Sequence, residues 1–223
     1  MPLINIPASD VLQLVSDLRG EANVNTDASR IRAVSRANQT IAKKRLWKFY
    51  RKDLTVTANG TDQDFEIGST TYEMGPGRLS EVYVGGVANS NKYELVDPND
   101  YRYRISVDST DKIAYEWYDV ANNKWKVRLS QIPDNGTVIY YTFYYLPPAI
   151  TTTAGVVISP DIDIASRYAL AYILQGEDED TYQTEIQMAE AMLQKYEQDD
   201  DAIPKGQLKT FGVPASTGGY GTY

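Results

Sequence analysis

The sequence contains no histidine and no cysteine among its 223 residues. Histidine is the side chain that most often transfers protons near neutral pH, and cysteine is the most reactive thiol nucleophile, so both kinds of catalysis lack their usual residues. The absence of cysteine also excludes disulfide bonds and thiolate metal sites. We therefore predict that the protein is not an enzyme and that it holds no cofactor and no metal ion.

Long hydrophobic runs are missing as well. No stretch approaches the roughly 20 apolar residues that a membrane-spanning helix requires, and the N-terminus lacks the basic and apolar segments of a signal peptide. Acidic residues outnumber basic ones by 30 to 22, which gives a formal charge of −8, whereas an open nucleic-acid-binding surface is usually basic. The sequence therefore favours a soluble protein without membrane contact and without general affinity for nucleic acid.

The spacing of apolar residues predicts helices at both ends of the chain and strands in the middle. Residues 8–50 and 160–199 have helical periodicity, whereas the region between them alternates with the period of strands. We expect an α+β fold in which the terminal helices form one helical bundle around an inserted antiparallel β module, a small barrel or sandwich. The predicted segments are 1–52 for the N-terminal helices, 53–158 for the β module, 159–199 for the C-terminal helices and 200–223 for an extended tail.

Local signals define elements within these segments. Capping residues, turn residues and proline positions each favour a particular start or end of an element. We predict an N-cap at Ser9, a helix stop at Gly20, a second helix capped at Thr26 or Asp27 and reaching residue 50, a hairpin turn at Asn59-Gly60, a strand at residues 101–105, and a helix start at Ser159-Pro160-Asp161.

Nine basic residues and no acidic one lie between residues 30 and 52. This concentration of one charge predicts a docking surface for an acidic partner or a contact with phosphate groups. Charge pairing with the acidic last helix, in the same subunit or a neighbouring one, is the simpler interpretation, and DNA binding is the less favoured one. The predicted basic interface face consists of Arg36, Lys43, Lys44 and Lys48.

Eighteen tyrosines are present, and four of them lie within residues 140–145. Aromatic side chains on both faces of one strand favour a core or interface role over a sugar-binding platform. Three pairs of acidic residues also resemble glycosidase carboxylates or calcium ligands, but turns and helix caps explain them with fewer assumptions. The pairs are Asp62 and Asp64, Asp97 and Asp100, and Asp161 and Asp163.

The order of elements resembles that of the head–tail adaptor, or connector, proteins of tailed bacteriophages. The resemblance covers most of residues 8–199 and lies in architecture more than in a diagnostic motif. The stretches that show it are the helix from Arg36-Ala37-Asn38 to Trp47-Lys48-Phe49-Tyr50, the strand from Gly136 to Pro148, and the helices that follow Ser159-Pro160-Asp161.

The resemblance implies a structural protein of the virion neck, assembled in the host cytoplasm. It implies a ring of about twelve copies mounted on the portal, through which genome DNA passes without specific binding, and a docking surface for downstream tail or neck proteins. It also implies that the C-terminal extension grips the portal, and the apolar anchors there are Leu208, Phe211, Val213, Tyr220 and Tyr223. The alternative is a carbohydrate-binding or cell-wall-degrading virion component.

Overall fold

Strands and helices are interleaved along most of the chain in the computed structural model, which describes residues 5–69, 72–175 and 177–199. The fold of these residues is α+β, as predicted. The elements are β1 (Asn5–Pro7), α1 (Ala8–Leu18), α2 (Ala28–Lys44), β2 (Arg51–Thr57), β3 (Asp64–Glu66), β4 (Glu73–Val84), β5 (Lys92–Leu95), α3 (Pro98–Val107), β6 (Ile113–Asp119), β7 (Lys124–Leu129), β8 (Val138–Leu146), β9 (Val156–Ile158), α4 (Ile162–Leu174) and α5 (Glu179–Asp199).

The chain divides into two units. The described residues of the first unit are 5–52, 68–69, 72–74, 143–175 and 177–199, and those of the second are 53–67 and 75–142. The division of the chain into four segments stays a prediction.

In the first unit, α1, α2 and α5 all pack against α4. The buried side of α4 consists mainly of small and aliphatic residues, including Ile164, Ala165 and Ala169. Small side chains allow neighbouring helix axes to approach closely, so this composition suits α4 to contact several helices. The first unit also contains a two-stranded antiparallel sheet of β1 and β9.

Three helix boundaries differ from the predictions. The predicted N-cap at Ser9 is wrong, because α1 already begins at Ala8, where loop carbonyls of Gly155 and Thr153 accept the first N–H groups at 2.8 and 3.2 Å. The second helix is capped by Asp27, as predicted, but ends at Lys44 instead of residue 50.

The third difference is at α4, which is capped by Asp161, so Pro160 precedes the helix instead of starting it. The predicted stop at Gly20 is confirmed, since α1 ends at Leu18 and Gly20 has a φ of +68°. A left-handed residue just beyond a helix is a common way to end it.

Buried polar side chains of α2 hold the connection between β8 and α4. The Oγ of Ser35 accepts the N–H of Ile150 at 2.9 Å, and the Oδ1 of Asn38 accepts the N–H of Ile158 at 3.0 Å. The Tyr50 hydroxyl donates to the carbonyl of Ile158 at 2.8 Å. These bonds satisfy backbone groups that would otherwise lose hydrogen bonds on burial.

The larger sheet has the strand order β2-β8-β4-β5-β6-β7-β3 and is nearly closed, like a barrel. The predicted hairpin between β2 and β3 is wrong, because these strands lie at opposite edges of the sheet. The turn itself is present, with the Oδ1 of Asn59 accepting the N–H groups of Thr61 and Asp62 and with Gly60 at a φ of +80°. The chain therefore uses this turn to pass from one edge strand to the other.

The predicted strand at residues 101–105 is also wrong, because these residues belong to α3. The side chain of Asp97 accepts the N–H groups of Asn99 and Asp100 at 2.8 and 2.9 Å, and Pro98 occupies the first turn. This cap and proline are a helix start signal that outweighs the alternation of tyrosines. Because α3 returns the chain, β5 and β6 pair in parallel, so the sheet is mixed and not wholly antiparallel as predicted.

Candidate interaction surfaces

The predicted basic face lies on α2 and on the 3-10 turn that follows it. Arg36, Lys43 and Lys44 are exposed on α2, and Lys48 is exposed in the turn. Positions 36 and 43 are seven residues apart, so they lie on the same side of the helix two turns from each other.

Two residues of this face contact the C-terminal helices of the same subunit. The Nζ of Lys44 lies 2.5 Å from the Oε1 of Glu190 on α5. The guanidinium of Arg36 donates to the Oε1 of Gln175 at 2.6 Å and lies 4.0 Å from the ring centre of Tyr172. Because these groups are exposed, each contact contributes at most about 1 kcal/mol to stability.

Lys43 and Lys48 form no ion pair within the part of the chain that the structure describes. Acidic side chains are likewise exposed in the first turn of α5, where Glu179 and Asp180 lie. These two carboxylates also have no ion pair with any residue described. The first unit therefore presents unpaired charges of both signs, and the role of the basic face as an interface stays a prediction.

The five predicted anchors of the tail lie outside the described residues, so their role in portal binding stays a prediction. They are Leu208, Phe211, Val213, Tyr220 and Tyr223.

A second charged surface, which the sequence analysis did not identify, extends across β3, β7 and β6. Its members alternate along each strand and therefore point to one side of the sheet. The register places Asp64 and Tyr115 opposite Arg128, and Glu66 and Trp117 opposite Lys126. The charged sheet face consists of Asp64, Glu66, Tyr115, Trp117, Asp119, Lys124, Lys126 and Arg128.

The charges of this face are paired one to one. Arg128 binds Asp64 through two nitrogens, at 2.8 and 2.5 Å. The Nζ of Lys124 lies 2.6 Å from Glu66 and the Nζ of Lys126 lies 2.6 Å from Asp119. Since three cations neutralise three carboxylates, the face has no net charge with which to attract a charged partner.

The indole of Trp117 lies at the centre of this network. Its Nε1 donates to the Oδ1 of Asp64 at 3.1 Å, and the cations of Lys126 and Arg128 lie 5.5 and 5.7 Å from its ring centre. Cations near an aromatic face gain stabilising electrostatic attraction. The network joins the short edge strand β3 to its neighbours, so its main effect is on the stability of the sheet.

Hydrogen bonds shift the protonation equilibria of the charged sheet face. The side chain of Asn122 and the ammonium of Lys126 lower the pKa of Asp119 to about 2. Asp64 raises the pKa of Arg128, and Asp119 raises that of Lys126. These directions mean that the folded state favours the ionised form of each group. The alternation of Lys124, Lys126 and Arg128 with apolar residues was the sequence signal for this face.

Three of the four clustered tyrosines of β8 are part of the core, one of the two roles that the sequence analysis favoured, and Tyr140 is partly exposed. Tyr141, Tyr144 and Tyr145 are buried. In the first unit the ring of Tyr145 lies 5.4 Å from that of Tyr50 and 5.0 Å from that of Tyr72, both edge-on. Burial raises the pKa of the Tyr145 hydroxyl. Rings buried in this way cannot form an open platform for a sugar.

The acidic pairs serve local structure. Asp97 and Asp161 cap helices, Asp62 bonds to Asn59, and Asp64 pairs with Arg128. An open groove of ≈ 370 Å³ in the second unit has a single carboxylate, Asp134, in its lining, whereas a glycosidase uses two.

Among the described residues, no group of three acidic side chains is arranged to hold a metal ion. No helix in those ranges combines the length and the hydrophobicity needed to cross a membrane.

Residues 7–217 match the model of the SU10 adaptor protein family, which is most of the chain, so the protein belongs to that family. It is therefore a phage adaptor-type structural protein. Membership in such a family is consistent with a protein that is not an enzyme. A search of curated proteins finds no match.

Proposed function

We propose that the protein is a head–tail adaptor that forms a ring on the portal of a tailed phage. The ring provides a conduit for the genome and a docking surface for downstream tail or neck proteins. The family match over residues 7–217 is the observation that supports this function most. An acidic chain, with a formal charge of −8, suits a conduit because DNA does not adhere to a surface of its own charge.

In this proposal the helices of the first unit act as one bundle, and the bundle contacts the next subunit of the ring. The unpaired cations Lys43 and Lys48 of one copy attract the unpaired carboxylates Glu179 and Asp180 of its neighbour. A contact between two different patches on identical subunits is head-to-tail, and such a contact closes into a ring when the rotation between copies permits. The C-terminal extension then binds the portal through its five apolar anchors.

The ring contact is tested by measuring the mass of the full-length protein by native mass spectrometry, with and without the portal. We expect the double substitution Lys43→Glu and Lys48→Glu to reduce ring assembly at low salt, because exposed charges are screened as salt rises. Adding Glu179→Lys and Asp180→Lys should restore it. The control Arg102→Glu reverses an exposed charge on α3 in the second unit and should leave assembly unchanged.

Assembly that persists undiminished in the Lys43/Lys48 variant would remove this interface from the proposal. If that variant loses DNA binding instead, the basic face is a phosphate-binding surface. Truncation after Asp199 tests the other contact, and we expect portal binding to fall sharply. Unchanged portal binding by the truncated protein would show that the extension is not the grip.

A further inference from the structure

The second unit contains a place where the sheet lacks a strand. β4 and β5 are antiparallel, with Val82 opposite Tyr93 and Tyr83 opposite Lys92. If this register continued, residues 77–79 of β4 would lie opposite residues 96–98. The chain leaves the sheet there, because α3 begins at Pro98. Residues 77–79 therefore extend past the end of the strand that should pair with them.

A carboxylate occupies the position of the missing strand. Glu116 on β6 accepts the N–H of Gly77 through Oε1, and its Oε2 accepts the N–H of Leu79 at 3.2 Å. The N–H of Arg78 also donates to this carboxylate. One side chain thus satisfies three consecutive backbone donors in a stretch that extends past the end of β5.

The bend of β4 makes this arrangement possible. Successive N–H groups of a regular strand point to opposite edges, so three in a row cannot reach one acceptor. Gly77 has a φ of +67°, a left-handed conformation that glycine adopts without the penalty of a Cβ. The bend turns the three N–H groups towards one point and forms an anion-binding nest.

We propose that Glu116 is a releasable bridge between β4 and β6, whose loss of charge frees residues 77–79 locally while the rest of the sheet stays folded. The bridge consists of the Glu116 carboxylate and the three N–H groups. A protonated carboxyl is neutral and uses one oxygen as a donor, so it binds these groups more weakly than a carboxylate does.

The surroundings of Glu116 favour release on acidification. Burial raises its pKa above the ordinary 4.5, and the N–H groups of residues 77–79 only partly offset this effect. No cation forms an ion pair with Glu116 among the described residues.

Most charged groups of the neighbouring elements have partners elsewhere. Arg78 lies within the bridged segment itself, where its side chain is buried. The ion pairs are Glu81 with Lys92 on β4 and β5, Arg104 of α3 with Glu94 and Asp111, and, on β7, Lys124 with Glu66, Lys126 with Asp119 and Arg128 with Asp64. Glu73 of β4 and Arg102 of α3 form no ion pair with any residue that the structure describes.

Release does not require global unfolding. Because the folded-state pKa of Glu116 lies above the ordinary value, its ionised form is less favourable in the fold than in the unfolded chain. This cost disappears as the pH falls through the folded-state pKa, so protonating Glu116 does not by itself destabilise the protein. The expected change is therefore confined to residues 77–79 of β4, whose N–H groups bond to Glu116 of β6.

Hydrogen exchange of the full-length protein tests the bridge. We measure amide protection relative to the intrinsic exchange rate between pH 7.5 and pH 4.5. In the wild type, protection of residues 77–79 should fall about tenfold or more on acidification, while β7 amides keep theirs. Glu116→Gln, which cannot ionise, should show low and pH-independent protection at the same three residues.

Glu66→Gln removes an exposed carboxylate from the charged sheet face and is the matched control, so protection of residues 77–79 should follow the wild-type curve. The wild-type pH series tests the proposal even if a variant does not fold. Constant protection of residues 77–79 over this range would overturn the bridge, and so would a loss of protection that includes β7.

Discussion

Each of the two faces of strand β6 carries a carboxylate, and the pKa values of these two carboxylates are shifted in opposite directions. On the charged sheet face, Asp119 bonds to Asn122 and Lys126, and its pKa falls to about 2. On the other face, Glu116 is surrounded by buried groups and backbone donors, and its pKa rises above 4.5. The residues are three positions apart and have the same functional group, and their environments move their pKa values in opposite directions from the ordinary 3.8 and 4.5.

The difference comes from the partner that each carboxylate has. Asp119 has a cation within 2.6 Å, so the ionised form is compensated in the fold. Glu116 has only the N–H groups of β4, which satisfy its geometry without neutralising its charge. The charged sheet face therefore adds stability at neutral pH, whereas in our proposal the Glu116 bridge holds residues 77–79 only while its carboxylate is ionised.

The largest effect is expected from Glu116→Ala. This substitution leaves the three N–H groups of residues 77–79 without their acceptor, and unsatisfied buried donors are costly. We expect the free energy of unfolding at pH 7 to fall by about 2–3 kcal/mol, as measured by denaturant titration. Glu66→Ala removes a carboxylate from the exposed pair with Lys124 and should cost less than about 1 kcal/mol. Equal losses in the two variants would mean that the bridge has no special role.

A smaller effect is expected from Gly77→Ala. A Cβ at this position meets no heavy atom within 4 Å, so the substitution tests backbone conformation alone. A non-glycine residue at a φ of +67° costs about 1–2 kcal/mol. We expect a loss of that size together with faster exchange of the Leu79 amide. Gly20→Ala, also with space around it and a φ of +68°, is the control, and it should leave the Leu79 amide unchanged.

Much of the secondary structure was predictable because it is encoded locally. The alternation of apolar residues predicted a β module between the helical ends, and β8 lies within the strand predicted from Gly136 to Pro148. Asp27 was one of the two predicted caps of α2. The predictions failed where two local signals conflicted and where partners distant in the sequence decide the outcome. Alternation predicted a strand at residues 101–105, but the Asp97-Pro98 cap makes a helix, and the Asn59-Gly60 turn joins strands that pair elsewhere.

The candidate surfaces were predictable to different degrees. Basic residues of α2 are adjacent in sequence and could be identified directly. The charged sheet face depends on register between β3, β7 and β6, which brings Asp64 next to Arg128 across 64 residues. The Glu116 bridge has no side-chain signature at all, because its donors are backbone N–H groups that every residue except proline possesses.

The smallest effect is expected from Asp119→Asn, and it tests the other face of β6. The folded-state pKa of Asp119 is about 2, below the ordinary 3.8. Its stabilising contribution is therefore complete above pH 3.8 and is lost as the pH falls from there through about 2. We expect the variant to have a Tm a few degrees below that of the wild type at pH 7, with the difference shrinking as the pH approaches 2.

Asn122→Ala sharpens this test, because it removes the Nδ2 donor that lies 2.7 Å from the Oδ2 of Asp119 and keeps the pair with Lys126. The pKa of Asp119 in this variant, measured by NMR titration, should lie between about 2 and the ordinary value. A Tm difference for Asp119→Asn that is the same at pH 7 and at pH 2 would contradict the shift. At pH 2 much of Asp119 is protonated, so the wild type should lose much of the advantage that its carboxylate has over asparagine at pH 7. In that case the pKa of Asp119 would not be lowered, and the contrast with the raised pKa of Glu116 would no longer be supported.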